Sequence, residues 1–289
     1  MLASVGLGLV LGCGARNAAQ WARRGIELER DISYGSADRQ KFDVYLPASG
    51  YAGAPVIFMV HGGGWAAGDK SGIALGANKV TRWVPKGVIV VSTNYRLIPE
   101  ADPIEQARDV ARSLAAAQSY LGRRGVDRTK WVLMGHSAGA HLVALLTAAP
   151  SLADGLEITP WLATIPLDIG AYDVVELMGA RHASLFDRAF GADPAYWRAA
   201  SPLHRIDDFP AAHPRASLLL VCSSRRDGLC EKAERFADKC RRAGFRVGVR
   251  DEPLGHMRIN SALGQSNAYT RAVEAFLSAL DPAFSQRLR

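Results

Sequence analysis

The pentapeptide Gly135-His136-Ser137-Ala138-Gly139 has the residue types and the spacing that a nucleophilic serine requires. A short apolar run over 131–134 precedes it and predicts a buried strand. A helix is predicted after it, because apolar residues recur at helical spacing at Ala138, Leu142, Leu145 and Ala149. The chain must therefore turn sharply at Ser137. Glycines on both sides leave room for a strained backbone, which exposes the hydroxyl above the sheet at the positive end of the helix.

A serine hydroxyl becomes a nucleophile when a base takes its proton and a carboxylate orients that base. In enzymes with this turn, the acid and then the histidine follow the serine along the chain. Asp227 follows the apolar run 218–221, and His256 follows the predicted strand 246–250. We therefore predict Ser137 as the nucleophile, His256 as the base and Asp227 as the acid.

Four competing residues fit this scheme less well. Asp168 ends an earlier strand, which is a less usual position for the acid, and Asp251 lies too close before the loop of the histidine. His204 and His213 fall in an insertion, where a histidine is more often a surface or hydrogen-bonded residue.

A second motif, His61-Gly62-Gly63-Gly64-Trp65, directly follows the apolar run 56–60. Successive glycines let backbone N–H groups approach a negatively charged oxygen, so Gly63, Gly64 and Ala138 are the predicted oxyanion donors. A phosphate loop is not favoured, because the Walker lysine and the Gly-x-Gly-x-x-Gly spacing are both missing.

Two side chains near these motifs, Trp65 and His136, have both a functional and a structural interpretation. Trp65 could stack on an aromatic substrate, although core packing is favoured. His136 is a substrate-pocket candidate, but its position in the turn favours a packing role. His141 lies one helical turn after Ser137, which favours a structural role.

The composition fits one globular domain without a nucleic-acid partner. The 289 residues are 48% apolar and carry a net charge of +7, but the arginines are scattered in isolated pairs. We predict no metal, because no cysteine pair or histidine motif has ligand spacing. Cys230 and Cys240 would lie about 15 Å apart on one helix, too far for a disulfide, and Cys240 is predicted to be a buried thiol.

The segment 1–28 precedes the predicted domain 29–289. Its apolar run 2–11 is too short to span a membrane, whereas residues 10–13 resemble a lipobox with Cys13 as the lipidated residue. An export signal requires a Lys or Arg before its apolar run, and none precedes the run here. An exported lipoprotein held at the membrane by Cys13 and a cytoplasmic protein with a simple N-terminal helix both stay open.

Short apolar runs alternate with helical stretches along the rest of the chain, which predicts a mostly parallel sheet with helices on both faces. Segments 30–34 and 41–46 are predicted as two antiparallel strands at one edge. A helix is predicted from Asp102 and Pro103, and another is expected to stop at Pro282. Residues of about 170–214 break the alternation, so we expect a small helical cap, with a surface insertion as the alternative.

Taken together, the motifs at 61–65, 69–70, 94–97 and 135–139 resemble those of the α/β-hydrolase superfamily. They are most similar to bacterial carboxylesterases of the hormone-sensitive-lipase-like and arylformamidase-like groups. The resemblance implies an eight-stranded α/β-hydrolase fold, a serine hydrolase without a cofactor, and catalytic roles for Ser137, Asp227 and His256. One departure is that two arginines precede Asp227, where the family more often has Gly-x-x-Asp.

The predicted function is a serine carboxylic ester hydrolase that forms an acyl-enzyme on Ser137 from a small-molecule ester. An arylformamidase, which hydrolyses an N-formyl aromatic amide, is the alternative. A non-catalytic binding module of the same fold is a more remote one, because fold alone does not imply function. The sequence does not indicate an oligomeric state.

Overall fold

The computed structural model describes residues 21–289, without the side chains of residues 73–76. An eight-stranded sheet with the order β1-β2-β4-β3-β5-β6-β7-β8 forms its centre. The strands are Ile26–Ser33 (β1), Lys41–Pro47 (β2), Val56–Val60 (β3), Ile89–Thr93 (β4), Trp131–His136 (β5), Ala163–Leu167 (β6), Ser217–Ser223 (β7) and Val247–Glu252 (β8). β2 pairs antiparallel with β1 and β4, and all other neighbours are parallel. The predicted mostly parallel sheet is therefore confirmed.

The central strands are apolar throughout because both faces of the sheet are covered. In β3, Val56, Phe58 and Val60 point into one hydrophobic core, and Ile57 and Met59 point into the other. A strand of this kind has no polar face, and its sequence is a continuous apolar run.

Helices connect the strands in the part of the chain that the structure describes. They are Ile73–Trp83 (α1), Pro103–Gly122 (α2), Ala138–Ala148 (α3), Val174–Gly179 (α4), Ser184–Phe190 (α5), Pro194–Ala199 (α6), Pro202–Arg205 (α7), Leu229–Arg242 (α8), His256–Ala262 (α9), Ala268–Leu280 (α10) and Pro282–Leu288 (α11). Asp102 caps α2, since its side chain accepts hydrogen bonds from the N–H groups of Ile104 and Glu105. α10 ends before Pro282 as expected, but Pro282 also begins α11, which Asp281 caps.

The helices α4 to α7 lie between β6 and β7, in the region expected to form a cap. They rest on the domain through aromatic contacts, in which Phe186 and Phe190 pack against Trp65. His141 of α3 also hydrogen bonds to the carbonyl of Ala200, with 2.8 Å between Nε2 and the oxygen. These contacts place the insertion over the half of the sheet that carries the two glycine motifs.

At the N-terminal side, β1 begins at Ile26, which lies within the segment 1–28 that the sequence separates from the domain. The predicted lipidation site, Cys13, lies outside the described residues. Within residues 21–289 we find no helix that combines the length and the apolar character needed to cross a membrane.

Candidate active site

Ser137 occupies a strained turn between β5 and α3. Its backbone has φ 55° and ψ −120°, a conformation that costs free energy for a residue with a side chain. The turn is tight enough to exclude side chains at the neighbouring glycines. A Cβ at Gly135 would lie 2.2 Å from the carbonyl oxygen of Gly139, and one at Gly139 would lie 2.3 Å from that of Val60. The two glycines are needed for close approach of the backbone.

His256 comes close to this serine from the loop after β8, which is an edge strand of the sheet. It is the first residue of α9, which follows β8, and its Nε2 lies 3.0 Å from the Oγ of Ser137. Both side chains are partly exposed, so a substrate can reach them. The predicted nucleophile and the predicted base are thus within hydrogen-bonding distance, although 119 residues separate them.

The carboxylate at the other nitrogen of this imidazole belongs to Asp168. Its Oδ2 lies 2.6 Å from Nδ1 of His256, and its side chain is fully buried. Asp168 directly follows β6 and has a left-handed backbone with φ 56°, which Asp tolerates better than most residues. The N–H of Ser223 donates to the second oxygen, Oδ1, at 2.9 Å. Asp168 is therefore held from two sides.

This geometry corrects the predicted acid, because Asp227 is not the carboxylate at His256. Asp227 lies in the exposed turn after β7, whereas the preceding residue, Arg226, reaches the imidazole. Its Nη1 lies 2.7 Å from Oδ2 of Asp168 and 3.0 Å from Nδ1 of His256. The physical reason is the parallel pairing of β6 with β7, which brings the ends of both strands to the same edge and lets either loop supply the acid.

The charge state of Asp168 fixes the proton arrangement of the neighbouring histidine. Burial alone would raise the pKa of the Asp168 carboxyl, but hydrogen bonds from His256, Arg226 and Ser223 and the charge of Arg226 lower it below its ordinary value. An ionised carboxylate only accepts hydrogen bonds, so the Nδ1 of His256 carries the proton. Its Nε2 is then the acceptor that faces the hydroxyl of Ser137.

The glycine loop after β3 lies beside the serine. A Cβ at Gly62 would lie 2.9 Å from the Cβ of Ser137, so the loop and the nucleophile are in contact. Gly63 and Gly64 have φ values of 121° and 59°, which side chains rarely adopt. The N–H of Ala138 has no acceptor within its own helix, because this residue begins α3. The two segments that carry the predicted oxyanion donors thus lie next to Ser137.

Tyr95, in the motif at 94–97, and Arg39 support this loop. Tyr95 stacks on His61 with ring centroids 4.4 Å apart, and its hydroxyl donates to the carbonyl of His61. Arg39 donates to the carbonyls of Tyr95 and Gly68. Burial lowers the pKa of His61 to about 4, so this ring is neutral at pH 7. The sequence places His61 and Tyr95 in its motifs, whereas Arg39 lies outside them, and all these contacts join chain segments that are distant in sequence.

Trp65 packs in the core. Its side chain is buried among Phe186, Phe190 and His141, and its indole N–H donates to Nδ1 of His141 at 3.3 Å. Stacking of this ring on a substrate would require the cap helix α5 to move away. The structure thus favours the core-packing interpretation over the substrate-pocket one, and it gives His141 the structural role expected from the sequence.

His136, the other pocket candidate, contacts the backbone at the start of α9. Its Nε2 lies 3.0 Å from the carbonyl oxygen of His256, and the two rings are 4.6 Å apart. Burial, and then the proximity of His256, lowers the pKa of His136 to about 3. A neutral, buried ring that donates to this carbonyl fixes the start of α9, which points to a packing role.

A disulfide that the sequence analysis did not find joins Cys222 and Cys230. Cys222 lies in β7 and Cys230 in the first turn of α8, so the bond closes the turn that carries Arg226. Sequence spacing alone could not show that the end of a strand and the start of a helix lie together. Cys240 is a buried thiol, as predicted.

No metal site is evident in the part of the chain that the structure describes. Within residues 21–289, His, Cys, Asp and Glu side chains form no group of three or more that could hold a metal ion.

Comparisons with known proteins agree with this architecture. A model of the family described as BD-FAE matches residues 42–158. The chain is 30% identical over 166 residues to a kynurenine formamidase of Danio rerio, covering 56% of this chain and 53% of that protein. It is also 30% identical over 265 residues to a probable carboxylic ester hydrolase, LipM, of Mycobacterium tuberculosis, covering 86% of this chain and 60% of that protein. The chain thus spans little more than half the length of these curated relatives.

A solved structure extends the likeness to nearly the whole fold. Esterase B of Lactobacillus rhamnosus superimposes with a TM-score of 0.71 at 18% identity, covering 96% of this chain and 94% of that one. At this identity the match concerns the fold. The chain therefore has the α/β-hydrolase fold, and its resemblance to the hormone-sensitive-lipase-like and arylformamidase-like hydrolases of that superfamily is confirmed.

Proposed function

We propose that this protein is a serine hydrolase of carboxylic esters, with Ser137 as the nucleophile, His256 as the base and Asp168 as the acid. The observation that carries the proposal is the hydrogen-bonded series from the Ser137 hydroxyl through His256 to the Asp168 carboxylate, at 3.0 Å and 2.6 Å. This arrangement can remove a proton from an alcohol and stabilise the resulting imidazolium.

The reaction proceeds through an acyl-enzyme. Nε2 of His256 takes the proton of Ser137 as its oxygen attacks the ester carbonyl, and the N–H groups of Gly63, Gly64 and Ala138 bind the resulting oxyanion. The imidazolium then protonates the leaving alcohol, which leaves the acyl group on Ser137. A water molecule, deprotonated by the same imidazole, releases the acid and restores the serine.

Replacement of Ser137 tests this mechanism directly. Ser137→Ala should abolish both hydrolysis of p-nitrophenyl acetate and covalent labelling by a fluorophosphonate, because the attacking oxygen is removed. Ser151→Ala, at an exposed serine in the 3₁₀ helix Pro150–Ala153, is the matched control and should keep both. If the Ser137→Ala protein were labelled as fast as the wild type, the proposed nucleophile would be wrong.

A formamidase is the second candidate, and the similarity to a kynurenine formamidase favours it. The same three residues can hydrolyse an N-formyl amide, since the attack and the proton transfers are alike. A comparison of kcat/KM for N-formylkynurenine with that for short-chain p-nitrophenyl esters decides between the two. An ester hydrolase should prefer the esters, whereas a preference for the formamide of tenfold or more would support the second candidate.

The proposed substrate is a small molecule. We expect its acyl chain to contact the cap. The Cδ1 of Leu185 in α5 would lie 3.0 Å from a Cβ at Gly64, so this apolar side chain lies directly above the oxyanion loop. Leu185 is only partly buried, and an acyl chain that leaves Ser137 towards the cap would contact it.

A further inference from the structure

Arg226 occupies a position that the proposed mechanism does not use. Its Nη1 contacts both the proposed acid and the proposed base, at 2.7 Å from Oδ2 of Asp168 and 3.0 Å from Nδ1 of His256. The same carboxylate oxygen accepts from His256 at 2.6 Å. One oxygen thus receives two N–H donors, and one of these carries a permanent positive charge.

The contact between Arg226 and Nδ1 is an approach without a hydrogen bond. Because Nδ1 donates its proton to Asp168, it has no lone pair left for the guanidinium. The arginine could donate to Nδ1 only if the imidazole adopted the other tautomer, in which Nε2 carries the proton. That tautomer would place an unprotonated nitrogen against the ionised carboxylate, and it could not accept the proton of Ser137.

The turn that carries Arg226 is fixed at several points. The disulfide between Cys222 and Cys230 closes it at both ends. Within it, the Ser223 N–H donates to Asp168 and its hydroxyl donates to the carbonyl of Leu254, while the Ser224 N–H donates to the carbonyl of Glu252. The backbone below the arginine is therefore tied to both β8 and the proposed acid, which limits how far the side chain can move.

We propose that Arg226 is a positioning residue for the hydrolytic reaction, which holds the carboxylate of Asp168 in place for His256. The inference rests on the proposed function. It explains why a buried aspartate that follows β6 can serve as the acid here, since the guanidinium supplies the fixed partner and the counter-charge that the buried carboxylate requires.

Other ionisable groups around the imidazole do not supply this charge. The ring of His136 lies 4.6 Å away but is neutral, since its pKa is about 3. Behind it, Lys79 is fully buried and donates to Asn260, and burial lowers the pKa of this amine to about 7. Arg258, two residues after the histidine, is exposed to solvent. Among the described contacts, Arg226 is the cation that touches His256 itself.

The substitution Arg226→Gln tests the role, because it keeps a hydrogen-bond donor and removes the charge. We expect kcat for p-nitrophenyl acetate to fall about tenfold, with KM changed by less than about twofold. The acidic limb of the kcat/KM profile should also move to higher pH by at least about half a unit. Loss of the guanidinium raises the pKa of Asp168 towards its ordinary value, so the ionised carboxylate that orients His256 is lost at a higher pH.

Two further variants separate positioning from a structural role. Arg226→Lys should return the acidic limb towards the wild-type position, because the charge is restored, even where kcat recovers only in part. Arg225→Gln, at the exposed neighbouring arginine, should leave both kcat and the profile unchanged.

Each contrary outcome is distinct. A rise in KM with unchanged kcat would overturn the proposal and make Arg226 a substrate-binding residue. An unshifted profile, with or without a loss of kcat, would also overturn it. If a fluorophosphonate labelled neither the wild-type protein nor Arg226→Gln, the proposed hydrolase function would be wrong. If the wild-type protein were labelled normally but the pH profile of Arg226→Gln were unshifted, only the proposed role of Arg226 would be wrong.

Discussion

Oδ2 of Asp168 lies 2.6 Å from Nδ1 of His256, and 88 residues separate these two residues along the chain. The short distance depends on the end of β6, where a left-handed backbone turns the aspartate towards the edge of the sheet. The carboxylate that the sequence favoured, Asp227, lies in the next loop along the same edge and faces solvent. Arg226 takes the place beside the histidine that this loop would otherwise fill with an acid.

The first prediction separates these two aspartates. Asp168→Asn should lower kcat by about 10⁴-fold, because an amide favours the wrong imidazole tautomer while it keeps the shape of the site. Asp227→Asn is the matched control and should stay within about twofold of the wild type. Steady-state hydrolysis of p-nitrophenyl acetate measures both. The opposite pattern, with Asp227→Asn inactive, would restore the acid that the sequence favoured.

A second prediction concerns the glycine loop. Gly63→Ala should lower kcat by about 10² to 10³-fold, because a Cβ there would lie 2.1 Å from the carbonyl oxygen of Ala67 and would displace the proposed oxyanion donors. Gly53→Ala is the control, since Gly53 also has a left-handed φ, of 64°, but has open space around it. It should lose some stability and keep its activity. Full activity in a folded Gly63→Ala protein would exclude this loop from the oxyanion site.

A third prediction follows from the buried histidine under the cap. Burial lowers the pKa of His141 to about 4, whereas in the unfolded chain its pKa is about 6.5. The unfolded state therefore binds more protons between these values, and the contribution of His141 to stability is complete above pH 6.5 and is lost as the pH falls towards 4. His141→Gln should flatten the fall in unfolding free energy by up to about 1.4 kcal/mol per pH unit in this window.

Urea unfolding at several pH values between 4 and 7.5 measures this change. His182→Gln is a suitable control, because a hydrogen bond that its ring donates to the carboxylate of Asp187 raises the pKa of His182. It should leave the acid-side slope unflattened. Equal slopes for His141→Gln and the wild type would show that His141 does not carry the pH dependence.

A fourth prediction concerns the disulfide between Cys222 and Cys230. Removal of both cysteines by Cys222→Ala with Cys230→Ala should lower the free energy of unfolding by about 2 to 3 kcal/mol, because the unfolded chain loses a closed loop. A reductant should destabilise the wild type by a similar amount and leave the double variant unchanged. Cys240→Ala, at the buried thiol, is the control that keeps the response to reductant. If a reductant did not change the free energy of unfolding of the wild-type protein, the disulfide would be contradicted.

The nucleophile turn and the glycine loop could be predicted from the sequence, because these features are local. At Gly135 and Gly139 the backbone approaches too closely for any side chain, and that requirement is visible as a motif of five residues. The apolar runs likewise determined the strands, since a strand covered on both faces has few polar positions. His256 could be placed because it follows the last strand of the sheet, where few other histidines compete.

The identity of the acid beside the histidine could not be predicted from the sequence and required the folded chain. Asp168 and Asp227 both follow strands that end at the same edge, and their distances to His256 depend on how two loops fold in space. The left-handed backbone at Asp168, the disulfide across the next turn and the position of Arg226 arise from contacts between segments far apart in sequence. Such contacts cannot be predicted from the spacing of residues in the sequence, because each contact depends on how the strands pack against one another.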